Sequence, residues 1–220
     1  MMVSPKDPLY QETKLIVLQD LPMAWPFADL AAWAALEYRL RVLNGRLEIL
    51  PHNAKIARLT VVLNTEDELT PFTTAGDFPK MVRRRFGEHL QSLLADRGDP
   101  RLDGKRLLVV FTCLERIARI EANERVPQRD RDRLKVRLNN PGLWHISVHY
   151  DGVTFFFQTD AQMLAAHNSS MLQYYAQEYA RVIAPYDELG YLAKRGVNIY
   201  FDSRENFEKN YQGNWHYYYK

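Results

Sequence analysis

The chain contains a single cysteine, Cys113, among its 220 residues. One cysteine excludes an intrachain disulfide and a zinc site built from several cysteines. Cys113 stands at the end of the apolar segment that begins at Leu107. This setting predicts a buried and unreactive thiol.

Long apolar segments are missing as well. The longest uncharged apolar run has about eight residues, whereas a membrane-spanning helix needs ~20. The N-terminal residues include Lys6 and Asp7 and are not followed by an apolar run, so they do not have the pattern of a signal peptide. We therefore expect a soluble, cytoplasmic protein without a membrane partner.

Glycine and proline are sparse, at 10 and 11 residues, while hydrophobic residues make up 46% of the chain. These proportions exclude a collagen-like or low-complexity chain and favour a folded globular protein. We predict one α+β domain over residues 1–220, with possible lobes at 1–127 and 128–220.

The net charge of +2 is small but unevenly distributed. Residues 1–79 carry a net charge of −3, residues 80–137 of +7 and residues 138–220 of −2. Arginine outnumbers lysine by 20 to 9, and its guanidinium group binds phosphate or carboxylate through two parallel hydrogen bonds. The basic middle segment is therefore a candidate surface for an acidic partner, although alternating charges at 129–133 also fit an ordinary solvated surface.

Hydrophobic periodicity gives the first half of the fold. Lys14–Gln19 is predicted as a strand, and a helix is expected after Asp29. The Asn44-Gly45 pair stands between alternating apolar residues, which predicts a hairpin turn that would pair Arg41 with Glu48. Further elements are predicted as strands at 56–63 and 107–114 and as helices at 77–97 and 115–125. The long helix carries Arg83, Arg84 and Arg85, which we include among the candidate binding residues.

The second half reads as three consecutive strands. Residues 133–138, 144–150 and 153–158 each alternate apolar and polar residues, and Asp151-Gly152 predicts a hairpin turn between the last two. A helix over 161–184 with a break near Asn168, a strand at 197–201, a short helix capped by Asp202 or Ser203 and a strand at 214–219 complete the prediction. The two halves have similar element orders, for which convergence is the simpler explanation than duplication.

The predicted strands place a set of polar side chains on one face of the sheet. The hairpin would bury Trp144, Ile146, Val148, Tyr150, Val153, Phe155 and Phe157. The opposite face would carry cations, imidazoles, hydroxyls and one aromatic ring: Arg133, Lys135, Arg137, His145, Ser147, His149, Thr154, Phe156 and Gln158. Such a face could hold phosphate oxygens with a base stacked on Phe156. It could equally be a plain solvent-facing side, or a helix could cover it.

Catalytic patterns are few. His145-Ile146-Ser147-Val148 resembles half of the histidine–x–serine signature of two-histidine phosphoesterases, a family in which one histidine acts as base and the other as acid. His145 and His149 are about 13 Å apart on a regular strand, too far to share a metal ion. Phosphate-binding, dinucleotide, zinc-protease and serine-hydrolase motifs are absent from the sequence, so no cofactor or metal is expected.

Two functions follow from these patterns. The leading hypothesis is a non-catalytic binding protein that uses its arginine-rich surface to engage an acidic partner, either a nucleic acid or an acidic protein. An immunity-type or anti-defence inhibitor would have these properties. The alternative is a small phosphoesterase or nuclease in which His145 and His149 act as acid and base and Ser147 helps to hold the phosphate.

Overall fold

Helices and strands alternate in two compact units, residues 1–117 and 118–220. The computed structural model describes residues 4–73, 77–167 and 171–220. Each unit contains one three-stranded mixed sheet built on an antiparallel hairpin, so the predicted α+β class is confirmed. Among the helices of the described residues, none combines the length and apolar composition needed to cross a membrane.

The first unit is built around strands β1, β2 and β3, in that order across the sheet. β1 and β2 are antiparallel, and β3 lies parallel to β2. The elements are α1 (Pro8–Gln19), α2 (Phe27–Tyr38), β1 (Val42–Leu50), β2 (Asn53–Leu63), α3 (Glu66–Thr73), α4 (Asp77–Ala95), β3 (Arg106–Cys113) and α5 (Leu114–Glu124), which continues into the second unit.

The predicted hairpin turn at Asn44-Gly45 is wrong, because both residues lie inside β1. The chain instead turns after Leu50, and Glu48 pairs with Arg58 of β2, whose Nε lies 2.7 Å from the Glu48 carboxylate. Asn44 sits at a register shift in the pairing of β1 with β2 and is buried. A Cβ at position 45 would lie 2.5 Å from the ring of Phe27. Glycine is therefore required here by close packing rather than by a turn.

The core of the first unit lies between the sheet and its helices. α4 buries the apolar stripe Val82, Phe86, Leu90 and Leu94, which has the helical spacing that the sequence predicted. These side chains pack against odd-numbered residues of β2 and β3, including Phe111, whose ring centroid is 5.0 Å from that of Phe86. α4 therefore covers the sheet and extends along β3.

The second unit repeats this strand topology, with β5 in the middle, β4 antiparallel to it and β6 parallel to it. Helices connect the hairpin to the third strand in both units. The elements are α6 (Gln128–Leu138), β4 (Leu143–His149), β5 (Gly152–Phe157), α7 (Asp160–His167), α8 (Met171–Ile183), α9 (Tyr191–Arg195), β6 (Asn198–Ser203), α10 (Arg204–Tyr211) and α11 (Trp215–Tyr218). Asn168, where a helix break is predicted, lies outside the described residues.

The β4–β5 hairpin has the predicted strands but a different turn. His149 pairs with Gly152 and Val148 with Val153, so Tyr150 and Asp151 form the turn, with Tyr150 at a φ of 49°. The pairing differs from the predicted one by two residues, and a shift of two leaves every side chain on its predicted face. Two residues are exceptions: a register shift next to Trp144 breaks the alternation of faces, and Tyr150, predicted to be buried, lies in the turn and is 62% exposed.

Three segments predicted as strands are helical. Residues 14–19 belong to α1, residues 133–138 to α6, and residues 215–218 to α11. In α6, Leu134 and Leu138 are buried four residues apart, while Val136 is 79% exposed. The spacing of the two leucines thus fits a helix as well as a strand. A strand would also place Val136 on the buried face, and this part of the prediction is wrong.

Candidate docking groove

The polar side chains of the β4–β5 hairpin share one face, but the pairing is shifted by two residues from the predicted one and the predicted third strand is absent from the described sheet. The register places His145 opposite Phe156, Ser147 opposite Thr154, and His149 opposite Gly152. The other face, with Ile146, Phe155 and Phe157, belongs to the core of the second unit. Gln158 follows β5 and is exposed.

The C-terminal helices α10 and α11 cover this polar face. Phe156 is fully buried, and its ring centroid lies 5.2 Å from those of Trp215 and Tyr218. His149 stacks on Tyr219 at 3.9 Å. A covering helix is one of the three alternatives that the sequence leaves open for this face; the cover comes from α10 and α11, whereas Tyr175 and Tyr179 of α8 pack in the core on the apolar face.

On the covered face, Ser147 is hydrogen-bonded to a tyrosine of the C-terminal segment. The hydroxyl of Tyr219 donates a hydrogen bond of 2.6 Å to Ser147, so the serine is engaged by a tyrosine rather than by a histidine. Burial lowers the pKa of His145, as do the nearby charges of Arg131 and Lys135, and burial also lowers the pKa of His149. Both imidazoles therefore favour the neutral form.

The predicted row of cations beside the histidines does not form, because α6 replaces the predicted strand, and of the three cations Lys135 alone affects the pKa of His145. Lys135 donates from Nζ to the carbonyl oxygen of Trp144 at 2.6 Å. Arg137 pairs with buried Glu178 at 2.6 Å, and Arg133 is exposed with Asp130 at 3.4 Å. All three predicted binding residues thus have partners within the unit.

The first unit contains a groove of about 1040 Å³ along β3. Five consecutive residues of the strand, 107–111, form one side, and α4 and α3 form the other. The lining residues are Leu69, Phe72, Thr73, Lys80, Arg83, Arg84, Gly87, Glu88, Gln91, Leu107, Leu108, Val109, Val110 and Phe111. We call this the β3 groove.

Two of the three candidate arginines of α4 line the β3 groove. Arg84 is largely exposed and lies 3.4 Å from Glu88, one helical turn away. Arg83 is half-buried, and its guanidinium donates to the carbonyl oxygen of Phe72 at 2.8 Å. Arg85 is exposed and does not line the groove. The sequence therefore identified the basic residues of α4 but not the strand that lies opposite them in the β3 groove.

Arg83 lacks a carboxylate partner within the described part of the chain. Its Nε atom is buried and makes no hydrogen bond to any described residue. A half-buried cation without a counter-charge is costly unless a partner supplies the charge. This residue is the strongest electrostatic feature of the β3 groove.

Gly87 keeps the middle of the β3 groove free of side chains. A Cβ there would lie 3.6 Å from Leu107 Cδ2 and 3.7 Å from Val109 Cγ2, which is ordinary van der Waals contact. Packing thus has room for alanine, even though glycine inside a helix costs about 1 kcal/mol relative to alanine.

Other kinds of site find little support in the described residues. They contain no group of three or more His, Cys, Asp or Glu side chains that could hold a metal ion. Comparison with known proteins found no matching family model, no matching curated protein and no matching solved structure. The geometry of the β3 groove is therefore the main guide to function.

Proposed function

We propose that the chain is a non-catalytic binding protein that engages an acidic partner through the β3 groove. The observation that carries the proposal is Arg83, a half-buried cation at the groove with no carboxylate partner among the described residues. A carboxylate of the partner would complete this cation with a charge-assisted hydrogen bond. The expectation of an immunity-type or anti-defence inhibitor stays a prediction.

The lining of the β3 groove supports a binding role rather than catalysis. Half of its fourteen lining residues are aliphatic or aromatic, and no histidine, cysteine, serine or aspartate is among its described members. Acid–base and nucleophilic catalysis use these residue types most often. The phosphoesterase alternative depends on His145 and His149 as acid and base with Ser147 beside them, and Trp215 or Tyr219 lies against each of the three.

An acidic protein suits the groove better than a nucleic acid. Phosphate backbones are bound by extended arrays of cations, whereas the groove offers Lys80, Arg83 and Arg84 beside the acidic Glu88. Single strands also need exposed aromatic rings for stacking. Phe156, the predicted stacking residue, is fully buried.

The proposal is tested by selecting binders from a displayed library of random octapeptides. We expect the wild-type chain to enrich peptides rich in aspartate and glutamate. Arg83→Gln retains an amide that can donate to Phe72 but removes the charge, and it should lower affinity for the enriched peptides by about tenfold or more. Arg85→Ala removes a cation from the same helix outside the groove and should leave affinity within about twofold.

Three outcomes would contradict the proposal. The first is that no acidic peptide is enriched. The second is that Arg83→Gln and Arg85→Ala weaken binding equally, since the charge would then act without a defined site. The third is salt-dependent binding of a random single-stranded DNA 20-mer that Arg83→Gln leaves unchanged, because the acidic partner would then bind elsewhere.

A further inference from the structure

β3 lies at the edge of its sheet. Within the described residues, β2 is the only strand paired with it. Alternate residues of an edge strand direct their N–H and C=O groups away from the sheet. The strand has eight residues, so about four of them present backbone groups to the β3 groove.

The side chains of β3 make this edge apolar. Leu107 and Val109 face α4 and pack against the core. Leu108 and Val110 point to the opposite face and are only half-buried. An apolar strand with an open edge is a template for another strand, and an added strand would cover both pairs of residues.

The positive charges of α4 determine which kind of strand can be added beside β3. A second copy pairing through β3 in the antiparallel sense would bring two α4 helices, each with Arg83 and Arg84, to the same side of the joined sheet. Like charges so placed oppose association. A strand with carboxylates on the side facing α4 instead complements Arg83, which has no carboxylate partner among the described residues, and adds to the charge that Glu88 already offers Arg84.

We propose, resting on the binding function proposed above, that the partner is an extended acidic protein segment that adds to the sheet as a strand beside β3. Its carboxylates face Arg83 and Arg84, and its apolar side chains lie beside Leu108 and Val110. The backbone supplies affinity, and the alternation of acidic and apolar residues supplies specificity.

The test uses a capped octapeptide that alternates valine and glutamate. It should bind the full chain, whereas the same peptide with lysine in place of glutamate should not. N-methylation then probes the backbone, since only every second N–H of an added strand points at its neighbour. Methylation of two N–H groups that point at β3 should weaken binding by about tenfold or more. Methylation of two at the intervening positions, which point away from β3, should change binding by less than about threefold.

The outcomes separate this inference from the proposed function. Equal effects of methylation at the two sets of positions would overturn strand addition. Acidic peptides from the random library that bind through Arg83, together with failure of the valine–glutamate peptide, would also overturn it while leaving the binding function intact. Dimerisation of the unliganded chain that Leu108→Arg abolishes would show that a second copy occupies the edge. A DNA 20-mer that displaces the peptide from the groove would overturn the choice of a protein partner.

Discussion

Asn123 joins the β4–β5 turn to Tyr179 through three hydrogen bonds, of which the one to Tyr150 is partly buried and the other two are buried. Its amide nitrogen donates to the carbonyl oxygens of Tyr150 at 2.9 Å and Gly152 at 2.7 Å, and its amide oxygen accepts from Tyr179 at 2.5 Å. Asn123 is 1% exposed and Tyr179 is fully buried. Water cannot easily replace these bonds, so the residue should contribute strongly to the stability of the second unit.

Asn123→Ala removes all three bonds at once. A buried group that loses its partner costs about 1–3 kcal/mol. Using the lower end for the two turn carbonyls, we expect a total loss of about 3–5 kcal/mol, which is a large part of the 5–15 kcal/mol typical of a domain. Tyr179→Phe removes one bond and should cost about 1–2 kcal/mol.

Urea unfolding followed by tryptophan fluorescence measures these losses. The double variant should be less destabilised than the two single losses added together, by about 1 kcal/mol, because both replacements remove the same bond. Asn210→Ala, an exposed asparagine of α10, serves as the control and should change stability by less than about 0.5 kcal/mol. A loss below about 1 kcal/mol for Asn123→Ala would refute the reasoning.

Three other predictions concern stability and reactivity. Gly87→Ala should stabilise the chain by about 0.5–1 kcal/mol in urea unfolding, because a Cβ fits and helix propensity improves. Destabilisation would show that the new Cβ, 3.6 Å from Leu107, is too close to that side chain. Burial lowers the pKa of His145, so protonation below about pH 6.5 favours the unfolded chain and stability should fall as pH falls. The melting temperature of His145→Gln should fall less steeply with pH than that of the wild type. An equally steep fall in the variant would argue against the burial of His145. Burial raises the pKa of Cys113 to about 11, so the thiol should react with a chromogenic disulfide at pH 8 only after unfolding; rapid labelling of the native chain would contradict this.

Local patterns in the sequence identified the elements whose periodicity allows one interpretation. The apolar stripe of α4 repeats only at helical spacing, and the faces of the β4–β5 hairpin depend only on the parity of the pairing. The predicted pairing is therefore wrong by two residues, yet it assigns the paired side chains to the correct faces. Asn123 explains that error, because its bonds to Tyr150 and Gly152 place the turn one residue earlier than the Asp-Gly pair suggests.

Other elements depended on tertiary contacts that no local pattern records. Trp215, Tyr217 and Tyr219 alternate as in a strand, yet Trp215, Tyr218 and Tyr219 are spaced as on a helix, and these three contact the hairpin face. The sequence around Gly45 is typical of a turn, whereas the structure shows that the ring of Phe27 leaves no room for a side chain at this position.

The β3 groove could be predicted only in part. The basic character of α4 and the apolar strand at 107–114 are both visible in the sequence. The position of β3 at the edge of its sheet is not, because strand order is set by pairing between distant segments. An apolar strand flanked by a basic helix is compatible with a central strand as well, and only the fold distinguishes the two.

Amide hydrogen exchange along β3 tests the central claim most directly. The full chain is measured with and without a saturating acidic octapeptide, and β6, the edge strand of the second unit, serves as the internal reference. The account predicts that alternate amides of residues 107–111 exchange at least about tenfold more slowly with peptide bound, while those of β6 do not change. Unchanged exchange along β3 in the saturated complex would contradict it.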